Sequence, residues 1–227
     1  MPPTAAVLFD VDFTLIHPGP RFQGAGYEAT CHRYGVAVDA AKFEAAVAGA
    51  SEFLDASAEL YDQKIYLAYT RRIIELMGGE GAGVGLAARE IFDDWNQHHH
   101  FSLYDDVAPT LADLSARGLK LGLISNTERC LVSFQSHFSL DGLIGAVVSM
   151  STHGFMKPHP SIFQSALSQL GVDAGEAVMV GDSLVHDVLG ARRAGVTGVL
   201  LARGGVPPAV PDGVAVIRSL AELPALL

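Results

Sequence analysis

Six short apolar runs, alternating with helical patterns, constrain this chain more than any other feature. They are AAVLFDVD (5–12), LKLGLISN (119–126), GAVVSM (145–150), AVMVGD (177–182), VTGVLLA (196–202) and VAVIRS (214–219). They are nearly continuous in apolar residues, as strands buried on both faces are, and such strands belong to parallel sheets covered by helices on both sides. DVAPTLADLSARG, TERCLVSFQSHF, PSIFQSALSQLG and LVHDVLGARRAG separate the later runs, each with apolar residues near i, i+3, i+4 spacing. Gly118, Gly171 and Gly195 follow the last periodic residues, where helices stop. The expected fold class is therefore α/β, an open, doubly wound parallel sheet.

One interval breaks this rhythm. From His17 to Phe101 there is no comparable strand, only four helical patterns near 23–35, 39–54, 58–78 and 86–98, the last two separated by GGEGAGVG (78–85). The expected organisation is an α/β core made of 1–16 and 102–227, with an all-helical domain, 17–101, inserted after the first strand. The HHH at 98–100 has no ligand spacing around it and reads as a solvated helix end.

Composition narrows the partners. With 227 residues, 49% hydrophobic and 18% charged, the chain can bury a substantial core. A formal net charge of -10 without a Lys/Arg cluster argues against nucleic acid and against an anionic membrane as partner. Cys31 and Cys130 are the only cysteines and form neither a disulfide framework nor a zinc spacing. MPPTAA lacks the positive start of a signal peptide, and no apolar run approaches the roughly 20 residues of a membrane span. A cytoplasmic protein is expected, as a monomer or homodimer.

In open α/β sheets, ligands bind outside the carboxyl ends of the strands. The first run ends in Asp10 and Asp12, followed by Thr14, and the second in Ser125, Asn126 and Thr127. Lys157 follows the third, while Asp182 and Asp187 close the fourth. If these strands are parallel neighbours, four carboxylates, one lysine and several hydroxyl or amide groups meet along one edge. Carboxylates so crowded need a counter-charge. Oxygen-only ligands suit a hard cation such as Mg²⁺, which commonly takes one or two carboxylates, waters and a substrate phosphate. Lysine supplies a point charge for phosphate oxygens, and a carboxylate can act as a nucleophile. The constellation reads as phosphoryl transfer.

At these positions the chain resembles the haloacid dehalogenase-like (HAD) hydrolase superfamily, through FDVDFT, ISN, KPHPSIF and GDSLVHD in that order. The helical insertion is similar to the C1-type cap of phosphoglycolate phosphatase-like members. The resemblance implies a Rossmann-like core and a Mg²⁺-dependent phosphatase acting on a small phosphorylated metabolite through an aspartyl-phosphate. It implies that Asp10 is the nucleophile and Asp12 the acid and base. Lys157 is the catalytic cation, and Thr14, Ser125, Asn126 and Lys157 are the phosphate ligands. Asp10, the Asp12 carbonyl and Asp182 would hold Mg²⁺, with Asp187 in support. A halide leaving group needs no proton, so the acidic Asp12 favours a phosphatase over a dehalogenase; mutase relatives use the same core.

The family most often has glycine where this chain has Phe13. Two readings stand: Phe13 adopts an allowed conformation with its ring at the entrance, or the loop is displaced and catalysis is weakened or lost. Arg21, Phe22 and Tyr27 stand just inside the insertion, where they could face the leaving group; for Arg21 two readings stand, a partner for an anionic substrate or a surface arginine. The YDD at 104–106 reads as a hinge or a helix cap. From a different functional class, a receiver-like phospho-binding module also gathers acids, a hydroxyl and a lysine, but lacks the helical insertion. A HAD-like protein that binds without hydrolysing remains the other alternative.

Overall fold

The computed structural model describes residues 3–51, 54, 59–204 and 209–227. The chain divides into two compact units, Met1–His17 with Leu103–Leu227, and Pro18–Ser102. Strand β1 (Ala6–Phe9) is buried along its whole length, and β2 (Ile16–Pro18) follows a tight loop. Helices α1 (Gly24–Arg33), α2 (Phe43–Ala50), α3 (Gln63–Leu76) and α4 (Gly83–Trp95) come next, before β3 (Phe101–Leu103). The chain continues through α5 (Val107–Ala116), β4 (Lys120–Ser125), α6 (Leu131–His137), β5 (Ile144–Ser149), α7 (Met150–His153) and α8 (Pro160–Leu170). After β6 (Ala177–Gly181), a wide π-type turn over Leu184–Leu189 runs into α9 (Gly190–Arg193), then β7 (Thr197–Leu201) and β8 (Ala215–Ile217).

Six of the strands form one sheet in the order β5-β4-β1-β6-β7-β8, parallel throughout. This is the expected α/β class, and its six strands are the six apolar runs. Strand β1 lies between β4 and β6, with Phe9 opposite both Leu123 and Val180. The chain leaves β1 toward β4 and β5 on one side, then returns to β6, β7 and β8 on the other. The order therefore reverses at β1, where open α/β sheets bind ligands. Asp10, one residue beyond the strand, still donates its backbone N–H to the Val180 carbonyl at 2.9 Å.

Helix α8 shows how the local sequence anchors this edge. Pro160 opens the first turn and the His159 side chain accepts the Ser161 N–H; Gly171, at φ 62°, ends the helix. Its apolar face, with Ile162, Phe163 and Ala166, packs on β4 and β5 in a cluster with Leu8, Ile124, Val148 and Met179. Complete burial of Phe163 or Ile162 contributes roughly 1.5–3 kcal/mol each.

The helical unit departs from the expected boundaries for local reasons. Asp39 caps a single tight turn, Ala40–Lys42, before α2 begins, where one helix over 39–54 is expected. Asp62 accepts the Lys64 N–H and so starts α3 at Gln63. Residues 52, 53 and 55–58, at the end of one expected helix and the start of the next, lie outside the described residues. The unexpected strands β2 and β3 pair as a small second sheet; at three residues each they are too short to show a period. Among the described residues, no helix is long and apolar enough to cross a membrane.

Candidate active site

The carboxyl ends of β1, β4 and β6 each deliver a polar residue to one place within the first unit. Lys157 is the hub. Its ammonium is buried and donates to Asp10 Oδ1, to the Ile124 carbonyl at 3.0 Å and to Asp187 Oδ1 at 2.7 Å. Asn126 holds the backbone of that lysine: its amide donates to the Lys157 carbonyl at 2.9 Å and accepts the Lys157 N–H at 2.7 Å. Both oxygens of Asp187 are likewise engaged, because the second accepts the Ser183 N–H at 2.9 Å. This approach depends on Gly181, since a Cβ there would lie 2.2 Å from the Asp187 carboxyl. Ser125 is buried at the end of β4, in register with Ser149 of β5.

The loop after β1 is wound tightly. The Val11 carbonyl accepts from Leu15 at 2.8 Å and from Ile16 at 3.1 Å, while Phe13 donates to the Ile16 carbonyl at 2.8 Å. Phe13 takes φ 62°, in the left-handed region that favours glycine, and the residue is 45% exposed. The loop thus keeps a glycine-type backbone despite the phenylalanine. Thr14 is expected to bind phosphate, but it is fully buried with its hydroxyl sealed from solvent. Its carbonyl instead accepts Arg203 Nε at 3.1 Å and Nη2 at 2.8 Å. The same guanidinium forms a fork with Asp106, both bonds 2.9 Å, and lies 3.9 Å over the Tyr104 ring. The Thr14 carbonyl therefore anchors the loop.

Three residues of the insertion are already engaged within their own unit. Arg21 does not stand free for a substrate: within the second unit it donates to Asp94 at 2.6 Å, to Glu90 at 2.7 Å and to the Thr30 hydroxyl. Phe22 is buried, with its ring edge-on to Trp95 at 4.7 Å and near Phe101 at 5.3 Å. Tyr27 is also buried, against Phe43. Conversely, sequence reasoning passed over Arg129, whose buried guanidinium donates to Asp12 Oδ1 at 2.5 Å. Its position three residues after Asn126 was the only available signal.

Electrostatics follow from this crowding. Burial pushes Asp10 up to about 7; Lys157 opposes the rise, and Asp187 and Asp12 add to it. Asp182 stands on the exposed rim with dense protein behind it. Desolvation on that side, then the Asp10 and Asp187 carboxylates, push it up to about 8, again against Lys157. For Lys157, burial favours the neutral amine, but Asp10 and Asp187 outweigh it and hold the ammonium above the usual lysine range. Asp10, Asp182 and Asp187 can each offer an oxygen within 4.8 Å of the others. With all three ionised, one lysine leaves two negative charges, which a cation would offset, and the donors are all oxygen. Such a set fits a hard divalent cation.

Comparison with known proteins agrees with this geometry. A family model described as haloacid dehalogenase-like hydrolase matches residues 4–195. Phosphoserine phosphatase from Thermus thermophilus is 36% identical over 144 residues, covering 59% of this chain and 55% of that protein. The chain spans between half and three fifths of the length of the curated relatives it matches first. A HAD phosphatase structure from Thermococcus onnurineus aligns over 98% of this chain and 97% of that one, with TM-score 0.67 and 29% identity. A 2-haloacid dehalogenase from Pseudomonas syringae pv. Tomato DC3000 shares the fold, with TM-score 0.65 and 24% identity over the same shares. A parallel α/β sheet with acidic residues and a buried lysine at its switch point defines the class, and the chain belongs to the haloacid dehalogenase-like hydrolases.

Proposed function

We propose that this chain is a Mg²⁺-dependent phosphatase that hydrolyses a small-molecule phosphomonoester through an aspartyl-phosphate on Asp10. The observation that carries the reading is the Lys157 ammonium bridging Asp10 and Asp187, with Asp182 completing the carboxylate trio. Lys157 keeps a positive charge beside the nucleophile and, together with a bound cation, would offset the carboxylates that a phosphate dianion must approach. Asp10 attacks phosphorus, and Asp12 gives a proton to the leaving oxygen; Asp12 then takes one from the water that releases phosphate. Ser125 and the remaining amide N–H of Asn126 are the phosphate donors. Asp10, Asp182 and the Asp12 carbonyl would hold Mg²⁺, with Asp187 in support, and the ion would offset charge on the transferring group. In this reading residues 1–16 and 102–227 are the catalytic core and 17–101 the cap. A dehalogenase reading leaves the acid–base residue Asp12 and its buried arginine partner without a task.

The test is a panel of phosphoglycolate, sugar phosphates, nucleoside monophosphates and a phosphorylated amine, assayed with Mg²⁺ and with EDTA. Multiple turnover that needs Mg²⁺ is expected, and Asp10→Asn should abolish it with the fold retained. Substantial turnover by Asp10→Asn counts decisively against the reading. Mg²⁺ at a hundred times its dissociation constant should stabilise the wild type by about 2.7 kcal/mol in thermal melts, and Asp182→Asn should lose that gain.

A further inference from the structure

We propose that Arg129 is the positioning residue for the acid–base work of Asp12; the proposal rests on the phosphatase reading above. Arg129 lies in the loop between β4 and α6 and is the bulkiest of the fully buried side chains among the described residues. Desolvating a guanidinium costs several kcal/mol, so buried arginines are kept where a partner offsets that cost. Here the partner is Asp12: Nη2 donates to Oδ1 at 2.5 Å, and the arginine side chain has no exposed surface. The arginine backbone is fixed as well, because its N–H donates to the buried Thr127 hydroxyl at 3.2 Å.

The two oxygens of Asp12 are therefore unequal. Oδ1 is tied to Arg129, whereas Oδ2 takes no hydrogen bond from the described residues, and the side chain keeps 18% of its surface exposed. A carboxyl group pinned at one oxygen presents the other in a set direction. Without the pin, rotation about its two side-chain torsions would spread Oδ2 over more than an ångström, a displacement worth on the order of a hundredfold in rate.

The proton movements give Oδ2 a defined task in each half of the reaction. In the first, a bond forms between Asp10 and phosphorus as the ester P–O bond breaks, and the proton on Oδ2 passes to the departing oxygen. In the second, the oxygen of water bonds to phosphorus as the Asp10–phosphorus bond breaks, and a water proton returns to Oδ2. Arg129 neither gives nor takes a proton, since guanidinium stays charged in proteins.

A purely structural arginine would also be buried and paired, so the test must read proton demand. p-Nitrophenyl phosphate releases a stable phenolate that needs little protonation, while glycerol phosphate releases an alkoxide that must be protonated. R129Q should lower kcat on glycerol phosphate by about a hundredfold, at the low end of what acid–base groups supply. On p-nitrophenyl phosphate the loss should stay below about fivefold, and KM for either ester should move less than about threefold. R129Q added to D12N should cost nothing further, because the two residues act as one unit. Equal losses on both esters, a loss confined to KM, or a further loss in the D12N background would overturn the proposal. Should R129Q fail to fold by circular dichroism, R129K keeps the charge without the planar guanidinium and reads the same ratio. A wild type inert to both esters overturns the phosphatase reading and this proposal with it; an active wild type with uniform loss overturns this proposal alone.

Discussion

Replacing Phe13 by alanine and, separately, by glycine should reverse the usual stability order of those two residues. Glycine ordinarily loses to alanine because the more flexible unfolded chain costs about 0.4–1 kcal/mol to order. At Phe13 the backbone sits at φ 62°, where any residue with a Cβ meets its neighbouring carbonyl at a cost of about 1–2 kcal/mol. Both variants lose the same aromatic ring, so the packing lost with it cancels between them. The difference leaves glycine ahead by about 0.8 kcal/mol, the midpoint of those two ranges. At a urea m-value of about 2 kcal/mol/M this is a midpoint difference of about 0.4 M.

The choice of probe matters. Trp95, the single tryptophan, belongs to the helical unit, whereas Phe13 belongs to the sheet unit. Its fluorescence would follow the wrong part of the molecule. Native-state amide hydrogen exchange in low urea, read at the β1 and β6 amides, follows opening of the sheet itself. An alanine variant as stable as the glycine variant, or more stable, would refute the argument that Phe13 is held in a conformation meant for glycine.

Two further outcomes follow from the same geometry. Lys157→Met leaves Asp10 and Asp187 facing each other without their shared cation. Measured in EDTA, it should destabilise by about 3 kcal/mol and lower Tm by roughly 6–12 °C in scanning calorimetry, and an unchanged Tm would contradict the bridging role. Burial alone would raise the Asp106 carboxyl, but Arg203, Ser219 and the Leu220 N–H outweigh it and hold it below the ordinary carboxylate value. A depressed acid contributes stability above its unfolded pKa of about 3.9 and loses it as the pH falls further, so Asp106→Asn should flatten the loss of stability on the acid side of about pH 4, read as urea midpoint against pH.

The sheet was legible because its central strands β1 and β6 are buried along their whole length, the edge strands β5 and β8 are at least partly so, and residues that stop a strand or a helix bound them. Such a strand can be recognised without its partners. β2 and β3 were not legible, because three residues carry no period and their pairing depends on a chain segment more than eighty residues away. Asp10, Lys157 and Asp187 could be read from the sequence for a topological reason. Each follows an apolar run, and a parallel sheet brings all such positions to one edge. Arg203 directly follows one such run and Arg129 lies three residues past another, so their place at the sheet edge was visible, but their partners were not. Each meets its partner across 117 and 189 residues, and one arginine in a loop has no pattern that separates a buried ion pair from a surface charge. Arg21 could have been read better. Glu90 and Asp94 are four apart on α4, so they share one helix face and form a fork for a cation.

Phe13 marks the limit of such reading. The departure from glycine shows in the sequence, but not which side yields, the backbone or the residue. The structure answers through the loop's hydrogen bonds. Val11 accepts from both Leu15 and Ile16, Phe13 donates to Ile16, and two Arg203 bonds fix the Thr14 carbonyl next to it. At a net stabilisation of about 1 kcal/mol each, those five bonds exceed the cost of one left-handed phenylalanine. The turn is set by its neighbours, so the residue at its apex can vary while the carboxyl of Asp12 stays in place.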